Sequence, residues 1–224
     1  MTDTTANRGL TPSVAQTATQ AGAATVAQTA AVGASVVEST TQAGPPGPVV
    51  PRVIGLDLSL TCTGVAGEGW TTTIRPRAAL RSHPRLALIL DAVVDHVRGA
   101  DLVVIEGPSF GGGVRHRHED LAGLRVMVRH ACWRRGIPYA VVPPSCRALY
   151  ATGKGSGSKG AVRDEVRQRY GIECDGPGRY DQADAYVLLA MGLHHLGQPL
   201  AVVPDTHRRG LDGCTWPDTE GLAA

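Results

Sequence analysis

From residue 53 onward the apolar residues follow two different periods. Val53-Ile-Gly-Leu-Asp-Leu58 is a short, nearly continuous apolar run led by β-branched residues, which predicts a buried strand. Cys62 to Ala66 and Trp70 to Ile74 predict two further short strands, with Gly67-Glu-Gly69 as the turn between them. Leu86, Ile89, Leu90, Val93, Val94 and Val97 then recur at helical spacing, so a helix is predicted over 82–97 with Ser82 as its cap. Asp101-Leu-Val-Val-Ile-Glu106 reads as a second buried strand, one that ends in an acid. Residues 117–135 are helical by pattern, Pro138 to Val142 is a strand, and helices follow over 159–170 and 181–196. Strands that first meander and then alternate with helices indicate an α/β fold, a mixed sheet flanked by helices.

The first fifty residues follow neither period. They carry only Asp3, Arg8 and Glu38 as charges and no aromatic residue. Ala, Thr, Gln, Val and Gly dominate, with echoes such as Val14-Ala-Gln-Thr-Ala and Val26-Ala-Gln-Thr-Ala. Such a segment buries too little to offset its ordering entropy, and Gly44-Pro-Pro-Gly-Pro48 closes it as stiff, non-helical punctuation. Residues 1–50 are therefore expected to be a disordered tail and linker, and residues 51–224 the folded domain. An Ala-rich piece from Ala23 to Val37 would become helical against a protein partner, whose identity the sequence leaves open.

Composition narrows the class. A chain of 224 residues, 42% hydrophobic and 19% charged, is long enough for a real core in one large domain or two small ones. No uncharged apolar run approaches the ~18 residues of a membrane span. The start lacks the basic residues and apolar block of a secretory signal. Five scattered cysteines without a C-x-x-C pair argue against a disulfide framework or zinc ribbon, so reduced thiols and a cytoplasmic setting are expected. Setting aside Arg8, Asp3 and Glu38 leaves 21 Lys and Arg against 18 Asp and Glu, a mildly basic body. Its basic residues are clustered. Arg115, His116, Arg117, His118, Arg125, Arg129, Arg134 and Arg135 form one group, and Lys154, Lys159, Arg163, Arg167 and Arg169 another. Such patches fit phosphate contacts, although a charge run also serves as an ordinary solvated face.

Three places combine a carboxylate with the end of an element. Asp57 closes an apolar run, where an unpaired charge is costly, and Ser59, Thr61, Thr63 and Gly64 follow as a small polar loop. Alone it reads equally well as a turn aspartate accepting backbone N–H bonds. Glu106 repeats the arrangement after Leu102-Val-Val-Ile105, where glutamate is a poor turn former. Asp181 and Asp184 share one face of a predicted helix, roughly 60° apart; Asp181 also suits a helix N-terminus through the macrodipole alone. Several carboxylates converging at strand ends would repel strongly unless hard cations bind between them. Oxygen-only donors point to magnesium, with manganese as the alternative. Two such ions about 4 Å apart activate water and stabilise a leaving oxygen at a phosphodiester.

At this point the chain resembles a known family. Val53-Ile-Gly-Leu-Asp-Leu-Ser-Leu-Thr-Cys-Thr-Gly-Val-Ala66 looks like the first strand and hairpin of RuvC-like Holliday junction resolvases. Val104-Ile-Glu-Gly-Pro-Ser-Phe110 looks like their second acidic strand, and Ala151-Thr-Gly-Lys-Gly-Ser-Gly-Ser-Lys159 like their lysine-bearing loop. Asp181-Gln-Ala-Asp-Ala185 resembles their closing D-x-x-D-A motif. The likeness spans about residues 52–217 and is nearest to phage-encoded members. It implies a ribonuclease H-like fold, a homodimer, and magnesium-dependent resolution of four-way DNA junctions by paired nicks, leaving a 5′-phosphate and a 3′-hydroxyl. It also implies a location in the bacterial host cytoplasm, if the gene is phage-borne. By motif, Asp57, Glu106, Asp181 and Asp184 would be the metal-binding, catalytic acids of a two-ion site. Some relatives have histidine where this chain has Asp181.

The remaining candidates come from residue usage. The chain has twenty arginines and two lysines, and Lys154 and Lys159 fall within six residues of each other. They look chosen as compact point charges on a flexible loop that feeds a helix start, a place that favours phosphate. Lys159 is the catalytic candidate; Lys154, Ser158 and Arg163 are candidates for DNA contact, as are Arg115 and Arg117. Phe110, the only phenylalanine, is flanked by glycines and is expected either to stack on an unpaired base or to enter a dimer contact. The apolar stripe Leu121, Leu124, Val128 and Cys132 is a candidate dimer interface, or else part of the monomer's own core. Two other readings compete: a catalytically inactive junction-binding protein, and a sugar-kinase or actin-like ATPase. The ATPase needs a second phosphate hairpin that this sequence lacks.

Overall fold

The computed structural model describes residues 50–108 and 115–218, with side chains in the second stretch from residue 119 onward. The expected tail, Phe110 and the side chains of Arg115 and Arg117 lie outside the described residues.

The folded part is built on a five-stranded sheet. Its strands are β1 (Val53–Asp57), β2 (Thr63–Gly67), β3 (Trp70–Ile74), β4 (Leu102–Glu106) and β5 (Tyr139–Val142), in the order β3-β2-β1-β4-β5. β1, β2 and β3 form an antiparallel meander, whereas β4 runs parallel to β1 and β5 parallel to β4. The helices are α1 (Ser82–Val97), α2 (Arg115–Trp133), α3 (Pro144–Thr152), α4 (Lys159–Tyr170), α5 (Arg179–His195) and α6 (Asp205–Arg208). The α/β architecture expected from the alternating pattern is the one observed.

Side-chain parity explains the two layers. Successive residues of a strand point to opposite faces, so Ile54, Leu56, Val103 and Ile105 share one face and pack with Ile89 and Val93 of α1 and Leu124 and Val128 of α2. Val53, Leu102, Val104 and Val142 take the other face and meet α5, with Ala183, Ala185, Leu188 and Leu189 in the same cluster. Both faces of β1 and β4 are covered, so these strands are apolar along their length rather than alternating. α5 is buried from Ala183 to Leu193 for the same reason, and it carries no polar stripe.

Several local expectations need correction. Ser82 is not the cap of α1: the N-cap is Arg81, without a side-chain capping bond, and Ser82 stands inside the first turn at φ 46°. Strand β2 begins at Thr63 rather than Cys62. α3 and α6 have no counterpart in the sequence reading; both are short and begin just after prolines, Pro143 and Pro204. The proposed interface stripe is core, since Leu124, Val128 and Cys132 are buried against α1 and the sheet with Leu121 packed beside them. The outward face of α2 carries exposed Val126 and Trp133 instead. All five cysteines are free thiols. Among the described residues no helix is long and apolar enough to cross a membrane.

Candidate active site

The parity that builds the core also aims the acids. Asp57 lies on the face of Val53 and Gly55, and Glu106 on the face of Leu102 and Val104, so both point toward α5. The parallel register pairs Leu56 with Ile105, which puts the two carboxylates at adjacent strand ends. α5 reaches them because the sheet is bare beneath it. A Cβ on Gly55 would fall on the Ala185 carbonyl and 2.6 Å from the Leu189 nitrogen; one on Gly64 would fall on the Asp181 carbonyl. This close approach places Asp184, 1% exposed, over Asp57, itself 7% exposed.

An arginine that no sequence pattern singled out sits among these acids. The Arg147 Nε donates to Glu106 Oε1 at 2.7 Å, and its Nη1 donates to Asp184 Oδ1. Burial opposes its charge, but Asp184 and Glu106 more than offset that, and its pKa is raised. Burial first, then the charges of Glu106 and Asp184, hold the Asp57 carboxyl well above the usual range, with Arg147 pulling the other way. Burial likewise lifts Asp184 to about 6, against the opposing charges of Arg147 and Lys159. Arg125 of α2 also acts on these acids: burial lowers its pKa, Glu106 and Asp57 support its charge, and its Nε is buried with no hydrogen-bond partner among the described residues. Arg147 was invisible because it belongs to an unpredicted helix; Arg125 was visible only as one member of a basic run.

The other candidates lie at different distances from this centre. Asp181, in the first turn of α5, stands at its edge, where its hydrogen bond and charge add to burial in raising the Cys62 thiol. Lys159 starts α4, and its charge reaches Asp184. Ser158 is the N-cap of α4, its hydroxyl accepting from the Ala161 N–H at 3.2 Å. Arg163 pairs with Asp164 at 2.8 Å, and Lys154 is exposed on the loop before α4. The structure also gathers three arginines that the sequence reading passed over. Arg77, Arg81 and Arg85 line a groove of about 620 Å³ with Ser59 and Thr61 of the loop after Asp57. Arg81 and Arg85 donate there to the Leu80 backbone carbonyl, and Asp120 lines the same groove.

The donor chemistry suits a hard divalent cation: carboxylate oxygens only, and largely buried. As they stand, no three His, Cys, Asp or Glu side chains among the described residues are placed to ligate one ion. Arg147 takes one oxygen each from Glu106 and Asp184.

An antiparallel meander joined to two parallel strands, with helices on both faces, defines a ribonuclease H-like fold. Among solved structures, RuvC of Thermus thermophilus shares it over 68% of this chain and 99% of its own, at 19% identity and a TM-score of 0.52. T. thermophilus RuvC in complex with Holliday junction substrate matches over 69% and 99%, at 19% identity and a TM-score of 0.55. The chain thus has the fold of RuvC. No protein-family model and no curated protein sequence matches it.

Proposed function

We propose that this protein is a metal-dependent, structure-selective endonuclease that resolves four-way or branched DNA junctions. The observation that carries this reading is the convergence of Asp57, Glu106 and Asp184 in one largely buried site, where Arg147 bridges the last two. The likeness to a fold solved on a Holliday junction supports the substrate class. Asp57, Glu106 and Asp184 would hold magnesium or manganese, with Asp181 contributing from the edge. A divalent cation bound there supplies a water of lowered pKa and positive charge for the leaving oxygen.

The chain's own residues do the rest. Lys159 directs its charge at the site and at the phosphate under attack. The groove of Arg77, Arg81 and Arg85 takes the sugar–phosphate backbone beside the loop that follows Asp57, and exposed Lys154 adds a further phosphate contact. Two copies in a homodimer would match the twofold character of a junction and allow paired nicks. Reduced thiols and a DNA substrate fit a cytoplasmic site of action.

The test is cleavage of a labelled four-way junction with magnesium and with chelator. Asp57→Asn and Glu106→Gln should each abolish nicking while junction binding is retained or tightened, because the phosphates then meet one less negative charge. Near-native cleavage in either variant refutes the assignment. Binding without cleavage by the wild type returns the protein to the junction-binder reading, and nucleotide hydrolysis would favour the ATPase.

A further inference from the structure

Arg147 is a buried permanent cation placed where the reading above needs a metal. Its side chain is 10% exposed, and its two partners, Glu106 and Asp184, are 14% and 2% exposed. It reaches them from α3, which follows β5 directly, and β5 pairs with β4 so that Val142 lies beside Glu106. The bridge therefore links a strand end to α5 through a third element. A guanidinium cannot discard its proton to make room, so the bonds are either kept or given up whole.

Two facts define what the bridge does. Without a cation, Glu106 and Asp184, which Arg147 bridges, and the neighbouring Asp57 would repel one another in this small volume. With the guanidinium in place, the acids do not form a three-ligand set among the described residues. Lys159 and Arg125 do not replace it. Neither donates a hydrogen bond to these carboxylates, and each acts on them only through charge.

We infer that Arg147 is the internal counter-ion of the metal site, holding Glu106 and Asp184 together in the ion-free protein and competing with divalent cations for their oxygens. This rests on the nuclease reading, and it adds that the chain sets its own metal affinity. Arg147 is a positioning residue here, since it acts through the two acids it holds. Its charge keeps the acids assembled and at the same time weakens their hold on a cation, so stability without metal and affinity for metal change in opposite directions. A residue that merely braced the site would move both the same way.

The experiment uses the full chain without DNA. Manganese binding is measured by titration calorimetry, and thermal unfolding is followed in EDTA and in excess manganese, for wild type, Arg147→Met and Arg147→Lys. Arg147→Met should bind manganese at least about tenfold more tightly, about 1.4 kcal/mol. It should also melt lower than wild type in EDTA and gain more from manganese. Arg147→Lys, a point charge unable to bridge both acids, should fall between the two. Should Arg147→Met fold only when manganese is present, that dependence supports the assignment, and the lysine variant supplies the affinity comparison. Equal or weaker manganese affinity in the folded variants, with a wild type that binds, overturns the counter-ion role alone. Manganese binding by neither wild type nor variants overturns the metal-dependent reading and this inference with it.

Discussion

A single methyl group at Gly55 tests whether the close seating of α5 assembles the acids. In the native packing that position faces the Ala185 carbonyl, and an added Cβ would lie 2.6 Å from the Leu189 nitrogen, where at least 3.0 Å is needed. The nitrogen alone must retreat by at least about 0.4 Å, and the carbonyl by more. Both are backbone atoms of one helix, so no side chain can rotate out of the way. α5 must lift or slide as a body, and Asp184 lies on it, one residue before Ala185. Overpacking of this kind costs about 1–3 kcal/mol. For a folded part of this size each kcal/mol lowers the melting temperature by about 2–4 °C, which gives an expected drop of about 2–12 °C. Displacement of Asp184 by a fraction of an ångström to 1 Å should cost up to about a hundredfold in single-turnover cleavage, beyond any loss from unfolding. Differential scanning fluorimetry and a quenched junction-cleavage assay, run well below the melting point, separate the two effects. A Gly55→Ala protein with native melting temperature and native cleavage rate would refute the account of how the site is built.

Four further variants test the remaining roles. Lys159→Ala should slow the single-turnover rate by about tenfold to a hundredfold with little change in junction affinity. Arg77→Ala should instead weaken binding and lower the salt slope by about one; the reverse pattern would exchange their roles. Burial lowers the pKa of His194, aided by Arg208, while its Nδ1 meets the Tyr150 hydroxyl at 3.0 Å. The unfolded chain therefore takes up that proton first as pH falls through about 6.5, so stability contributed by His194 is present at neutral pH and lost on acidification. Asp57 and Asp184, whose folded pKa values are raised, act in the opposite sense but equally in wild type and variant. The gap in melting temperature between wild type and His194→Gln should accordingly narrow from about pH 7.5 to 5, and a constant or widening gap would count against it. Deletion of residues 1–50, a segment without an aromatic residue, should leave melting temperature and junction cleavage unchanged. A loss of several degrees would show that the segment packs on the body.

Local pattern alone determined the elements whose apolar residues are dense and regular. β1, β4 and α1 were legible because burial on one or both faces imposes a period that few residues violate. The acids at the ends of β1 and β4 were equally visible, since a carboxylate closing an apolar run is costly wherever it stands. The short helices α3 and α6 were not, because a few turns leave no periodic record. α5 was expected two residues late, since a helix buried all round has no polar face to mark its start. Only the tertiary structure decided that the stripe of α2 is core rather than interface, a choice that depends on what packs against it. It alone brought Glu106 and Asp184 to Arg147, from positions 41 and 37 residues away along the chain. Spacing within one element is dictated by backbone geometry, which a sequence displays directly. Pairing between elements depends on strand register and on which glycines allow a helix to descend, and those are set by the free energy of the whole packed core.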